Sequence, residues 1–178
     1  MNLNEFKSLV LSRQSCRSFS DKEIDVNDLK EILNTALLAP SACNSQPWKV
    51  YCVTDREKVK KVAQSVSDGG VNSFANSAKA FFVVAEKTAS LKKGAEEKFG
   101  RNHFVKYDIG ELIAYITLAA KAKGIDTCII GWINAEKLNA AMNFDDGESC
   151  NIVIAAGYGD CPLREKVRKP SGETSQFI

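Results

Sequence analysis

The chain has 178 residues, a length at which one core can bury roughly 70% of the unfolded surface, so a single domain over residues 1–178 is expected. Hydrophobic residues make up 44% and charged residues 26%, which argues against disordered, collagenous and coiled-coil classes. Lys and Arg number 24 against 22 Asp and Glu, leaving +2; no global field recruits nucleic acid or an anionic membrane, and any basic site has to be a local cluster.

Phe6, Leu9 and Val10, spaced i, i+3, i+4, predict a short first helix ending near Ser12. A second is predicted after Asp25, whose side chain is placed to cap the amide of Asp28. Leu29, Ile32, Leu33, Ala36 and Leu37 form its apolar face, and Ala39-Pro40-Ser41 ends it. Trp48 to Thr54 is aromatic and β-branched and reads as a strand, followed by a helix from about Arg56 to Val66 and a turn at Ser67 to Gly70. Ala78 to Glu86 is apolar almost throughout, as a central strand buried on both faces would be. Lys87 to His103 is polar and reads as a surface insertion.

Val105 to Lys123 carries the longest helical signal, with Ile109, Leu112, Ile113, Ile116, Ala119 and Ala120 making a face wide enough for more than one neighbour and Gly124 as its stop. Thr127 to Trp132 and Asn151 to Tyr158 read as two further strands, with a helix from about Ala135 to Met142 between them. From Cys161 to Ile178, two prolines, four cations and no apolar periodicity predict a tail that lies on something else. The class is a mixed α/β or α+β layer structure, and the alternation by itself favours parallel β-α-β winding.

No apolar run approaches the roughly 20 residues a bilayer span needs. Met1 to Glu5 lack a basic region followed by an apolar one, so no secretory leader is read there and the cytoplasm is the expected location. Six cysteines, Cys16, Cys43, Cys52, Cys128, Cys150 and Cys161, contain no C-x-x-C pair, and His103 is the only histidine; reduced thiols and no zinc site are expected. Gly157-Tyr158-Gly159 follows a strand, but Pro162 stands where a third glycine belongs and no helix follows, which argues against a Rossmann turn.

Three stretches carry chemistry. In Arg13-Gln14-Ser15-Cys16-Arg17-Ser18-Phe19, an extended backbone would point residues 13, 15 and 17 the same way, giving two guanidiniums and a hydroxyl on one anion-sized patch. In Ala39-Pro40-Ser41-Ala42-Cys43-Asn44-Ser45-Gln46-Pro47-Trp48, two prolines bound a stiff loop of amides and hydroxyls suited to a planar polar ring; the plainer reading is a connector rich in turn residues. In Arg164-Glu165-Lys166-Val167-Arg168-Lys169-Pro170, Lys166 and Arg168 alternate onto one side of the chain. Taken alone, the first pair reads equally as solvated surface arginines and the second as a solvated charge run.

Taken together, the Arg-x-Ser-x-Arg-x-Phe segment, Pro-Ser-x-x-Asn-Ser-Gln-Pro-Trp, Asp108 and Gly110 opening a long helix, the Gly124 to Gly131 stretch, the Ala-x-Gly-Tyr strand end and the Arg-Lys-Pro tail resemble the FMN-dependent nitroreductase family, in the family's order over nearly the whole chain. The resemblance implies an α+β sandwich with a central, mainly antiparallel sheet flanked by helices. It also implies an intimate homodimer with FMN at the interface, the long helix packed on its mate and residues 161–178 wrapping the partner.

Carried over by residue, the resemblance implies that Arg13, Ser15 and Arg17, with Gln14 alongside, bind the flavin phosphate and ribityl chain, and that Lys166 and Arg168 close on the same phosphate. Pro40, Ser41, Ala42 and Asn44 would meet the isoalloxazine from the partner subunit, Asn72 its pyrimidine edge, and the backbone at Ile130 and Gly131 the N5 atom. Gln14 departs from the basic residue frequent at its position, and Ala42 lacks a hydroxyl often present there. NAD(P)H is the implied hydride donor and a nitroaromatic, quinone or related small molecule the acceptor, in a ping-pong cycle that requires no protein acid or base. The competing reading is an FMN carrier or sensor without NAD(P)H turnover, suggested by the short 87–103 insertion.

Overall fold

The computed structural model describes residues 2–178. Helix α1 (Leu3–Ser12) opens on a reciprocal cap in which Asn2 accepts from the Glu5 amide and Glu5 accepts from the Asn2 amide. Helix α2 (Val26–Ala36) follows Asp25, whose carboxylate takes the Asn27 amide at 2.8 Å and not that of Asp28. Asp28 instead meets Lys123 at 3.0 Å. Strand β1 (Trp48–Val53), helix α3 (Arg56–Val66) and strand β2 (Ala80–Glu86) come next, with short 3-10 turns at Asp68–Gly70 and Ser73–Ser77 before β2.

The polar 87–103 stretch is not all loop. It holds the two-turn helix α4 (Lys93–Phe99), ended by Gly100 at φ 83. Helix α5 (Val105–Ala122), strand β3 (Asp126–Ile130), helix α6 (Ala135–Met142), strand β4 (Ser149–Gly157) and one turn of helix, α7 (Ser171–Thr174), complete the chain. Strand β3 stops two residues before the expected Trp132; its ladder ends at Ile130 opposite Val153, and the chain then turns so that the Asn134 amide reaches Ser65 O at 2.8 Å.

The sheet order is β1-β2-β4-β3, with all three strand pairs antiparallel. This is the α+β sandwich, and parallel winding is overruled. Period-two alternation along β2 sends Phe82 and Val84 to one face and Phe81 and Val83 to the other, each essentially without solvent contact. Helices α2 and α5 cover the first face through Leu29, Ile32, Leu112 and Ile116. Helices α3 and α6 cover the second through Val62, Val66 and Leu138. Helix α5 thus sits between the sheet and α1, with Tyr107 and Tyr115 still exposed on its outer side. Among the described residues, no helix is long and apolar enough to cross a membrane.

Candidate functional site

Past α1 the chain becomes extended at Arg13 and runs along the outer edge of β3. Ser15 forms a parallel bridge with Thr127, and the Cys16 amide donates to Thr127 O at 2.9 Å. Phe19 then bridges Gly159, and the Ser20 amide donates to Tyr158 O at 2.8 Å, so the chain leaving β4 is fastened to the same segment. The two glycines here are packing requirements: a Cβ at Gly157 would lie 2.7 Å from the Phe19 ring, and one at Gly159 would lie 2.7 Å from Cys16 Sγ. By this route the β4 exit delivers the tail onto residues 13–17.

Gln14 is buried and its amide is used by the tail, with Nε2 donating to Pro162 O at 3.1 Å and Oε1 accepting from the Arg164 amide at 3.1 Å. The Arg164 guanidinium donates to Ser15 O at 2.8 Å, and the Lys166 ammonium donates to Arg13 O. The result is a cavity of about 390 Å³ lined by Arg13, Gln14, Ser15, Arg164, Lys166 and Arg168 together with Glu165 and Val167. A neighbouring cavity of about 460 Å³ shares Arg13, Lys166 and Arg168 and adds the apolar side chains of Ile113 on α5 and Ile129 on β3. Arg17 lines a smaller cavity of about 220 Å³ with Ser15 and Arg164, its guanidinium 6.0 Å from the centre of the Phe74 ring.

The electrostatics of this cleft are unbalanced. Lys49, Lys121, Lys123 and Lys137 each hold a carboxylate within 4.0 Å. Arg13, Arg17, Arg164, Lys166 and Arg168 have none among the described residues. Burial first, and then the charges of Arg13, Arg168 and Arg164, push the Lys166 ammonium below the usual lysine range. Glu165 is the one carboxylate lining the 390 Å³ cavity and pairs with none of these cations among the described residues, so their repulsion is left for a phosphate to relieve, and guanidiniums suit its oxygens bidentately.

The proline-bounded loop lies elsewhere. Its Cys43, Asn44 and Gln46 adopt left-handed backbone at φ 54, 53 and 46, each costing on the order of 1–3 kcal/mol for a non-glycine residue. Side chains hold it there: Ser41 Oγ accepts from the Gln46 amide at 2.9 Å, and Ser45 Oγ from the Ser90 amide at 2.8 Å. Asp108, 5% exposed in the first turn of α5, accepts the Ala42 amide at 3.0 Å through Oδ1, while Oδ2 is buried without a hydrogen-bond partner among the described residues. A helix N-terminus favours a carboxylate at that position.

Within one chain the structure therefore joins Arg13, Gln14, Ser15, Lys166 and Arg168, with Arg17 next door, and leaves Pro40, Ser41, Ala42 and Asn44 outside the cationic cavities. Asn72, itself left-handed at φ 49, donates to Val66 O at 3.2 Å and stands two residues before Phe74. Ile130 is buried in the α3/α6 core, Gly131 is exposed just past it, and Ile129 is the strand residue that faces the larger cavity. Two residues escaped assignment to the site from the sequence. Arg164 continues the alternation of Lys166 and Arg168 and was readable on that ground; the contact of Asp108 with Ala42 spans 66 positions and has no local signal.

The model of the nitroreductase family matches residues 10–73 and 68–158. The chain belongs to the nitroreductase family. It is thereby an oxidoreductase of the nitroreductase type. An Archaeoglobus fulgidus protein, provisionally named an NADH dehydrogenase/NAD(P)H nitroreductase, is 32% identical over 152 residues, covering 85% of this chain and 82% of that protein. The nitrobenzene nitroreductase of Ectopseudomonas oleovorans is 24% identical over 201 residues, 88% of each chain. Among solved structures, a nitroreductase family protein from Streptococcus pneumoniae superposes with a TM-score of 0.84 at 24% identity, covering 97% of this chain and 100% of that one. A Staphylococcus epidermidis protein, provisionally named an NAD(P)H:FMN oxidoreductase, superposes at 0.81 with 24% identity, covering 100% and 98%. These superpositions establish the nitroreductase fold.

Proposed function

We propose that this nitroreductase-family chain is a cytoplasmic, NAD(P)H-dependent FMN oxidoreductase that works as a homodimer. The observation that carries the proposal is the cleft of five cations, without an ion-pair partner among the described residues, built from residues 13–17 and the tail. The residues fit a phosphorylated flavin: Arg13, Ser15 and Arg17 from one segment and Arg164, Lys166 and Arg168 from the other supply hydroxyl and charged donors for a dianion. Gln14 holds the tail in place for them. The names of the Ectopseudomonas and Staphylococcus relatives, a nitrobenzene nitroreductase and an NAD(P)H:FMN oxidoreductase, support the same reading.

The loop residues Pro40, Ser41, Ala42 and Asn44 stand apart from the cationic cavities, which suits a ring shared between subunits, the loop coming from the partner. Asn72 would address the pyrimidine edge, and the backbone at Ile130 and Gly131 the redox-active edge. The exposed apolar side chains of Leu3, Phe6 and Leu11 on α1 and of Tyr107 and Tyr115 on α5 supply a face for a second copy. Val167, Phe177 and Ile178, also exposed, are available for the partner where residues 161–178 leave their own subunit. Bound FMN would supply the chemistry, accepting hydride from NAD(P)H and passing electrons to a nitroaromatic, quinone or related acceptor in a ping-pong cycle. The protein residues bind, orient and shield; none is assigned as acid or base.

The test is anaerobic mixing of FMN-loaded protein with NADH or NADPH. Prompt loss of the yellow absorbance, restored by a nitroaromatic or quinone, is expected. Failure to take up FMN contradicts the proposal, and reduction by dithionite alone assigns the chain to flavin carriage or sensing.

A further inference from the structure

Two thiols that the oxidoreductase reading does not use meet beneath the cationic cleft. Cys16 Sγ and Cys161 Sγ lie 3.2 Å apart although 145 positions separate them. The approach is imposed by the backbone on both sides: the Cys16 amide is bonded to Thr127 O, Phe19 bridges Gly159, and the Asp160 amide donates to Ser18 O. Gly159 leaves the space into which Cys16 Sγ fits, since a Cβ there would lie 2.7 Å from that sulfur. Cys16 is fully buried and donates to Ser18 O at 3.0 Å, whereas Cys161 is half-buried and reaches solvent. A covalent S–S bond is about 2.05 Å long, so the two sulfurs need to approach by only about 1 Å more.

From this juxtaposition we infer that Cys16 and Cys161 form a reversible dithiol/disulfide couple that welds the root of the tail to the 13–17 segment. The oxidising co-reactant is a low-molecular-weight disulfide, RSSR, of the glutathione class. Half-buried Cys161 gives its proton to solvent, and its thiolate attacks one sulfur of RSSR, forming the mixed disulfide and expelling RS⁻, which takes that proton back to give RSH. Cys16 then attacks Cys161 Sγ, forming the protein disulfide, and its proton passes to the departing sulfur so that the second RSH is released. Two protein thiols are oxidised and one RSSR is reduced to two RSH. Burial, reinforced by Cys161 and Asp126, pushes the Cys16 thiol up to about 11, so this second step is the slow one.

Cys16 sits between Ser15 and Arg17, and Cys161 is three residues before Arg164. The crosslink therefore ties together the two halves of the cation cluster and restrains the tail from lifting. That consequence rests on the FMN reading above; formation of the bond does not.

The experiment uses the full chain without flavin, equilibrated in reduced and oxidised glutathione buffers, quenched by alkylation and mapped by peptide mass. In oxidised buffer a Cys16–Cys161 linked peptide is expected, with a mass loss of about 2 Da, reversal by dithiothreitol and a thermal midpoint several degrees higher. The same link is expected in Cys43→Ser, which lacks the exposed thiol, and is lost in Cys161→Ser. Both thiols remaining alkylatable in oxidised buffer, or Cys161 carrying a glutathione adduct with no internal link, overturns the inference. In the FMN-loaded protein the crosslinked form should release flavin at least severalfold more slowly than the reduced form; equal release overturns the welding of the site while leaving the flavin reading intact.

Discussion

Two cationic regions of this molecule differ in how their charge is met. At the sheet end, Lys49 and Lys87 face the enclosed Glu148, to which the Tyr51 hydroxyl also donates, with Asp145 completing the cluster. There the Lys49 ammonium is pushed up by its hydrogen bond to Asp145, and the Asp145 carboxyl is held down by Lys49. At the tail, Lys166 is pushed down by burial and by arginines on several sides. Paired charge is structural; unpaired charge of one sign, held in place by the fold, is a binding site in waiting.

The largest effect expected from breaking this contrast is on the unpaired side. In an Arg13→Ala, Lys166→Ala double variant, two charged contacts worth roughly 1.5–3 kcal/mol each are lost, so FMN affinity measured by fluorescence titration should fall at least about a hundredfold while the fold persists. Gly159→Ala attacks the close packing that delivers the tail. Its Cβ would lie 2.7 Å from Cys16 Sγ and 2.8 Å from Asp126 Oδ2. Overpacking of this kind costs about 1–3 kcal/mol, visible in denaturant unfolding. On the paired side, Glu148→Ala leaves Lys87 and the Tyr51 hydroxyl without their carboxylate and Lys49 with Asp145 alone; a loss of about 2 kcal/mol and a fall in melting temperature of about 4–8 °C are expected, with FMN affinity unchanged. A matching loss of FMN affinity in that variant would erase the distinction between the two regions.

Much of the fold was legible because local signals agreed with the final packing. Helices α3 and α6 begin and end where the flanking strand and turn signals place them, and Asp55 and Asn134 cap them by accepting the Lys58 and Lys137 amides. The burial of β2 on both faces was readable from its unbroken apolar run, and the residues of the cationic cleft from their alternation. Strand direction was not legible, because an alternating order of helix and strand is compatible with parallel and antiparallel sheets; only the resemblance separated them. Contacts between distant positions carry no periodic trace, which is why Asp108 with Ala42 and Cys16 with Cys161 emerge only from the folded chain.

The smallest expected effect is on pH dependence. A phosphate seated beside Lys166 raises the lowered affinity of that amine for its proton, so binding takes up protons wherever the free site is partly neutral. FMN affinity should therefore weaken severalfold as pH rises through the lowered Lys166 range, and Lys166→Ala should flatten that slope when the dissociation constant is followed from neutral to alkaline pH.

The most direct measurement compares FMN with riboflavin, which carries the same ring without the phosphate, in titrations of the flavin-free protein and of the Arg13→Ala, Lys166→Ala variant. Cations without an ion-pair partner, gathered for a phosphate, predict that the natural chain prefers FMN by about a hundredfold or more and that the variant loses most of that preference. Equal affinity for the two flavins in the natural chain would contradict the account.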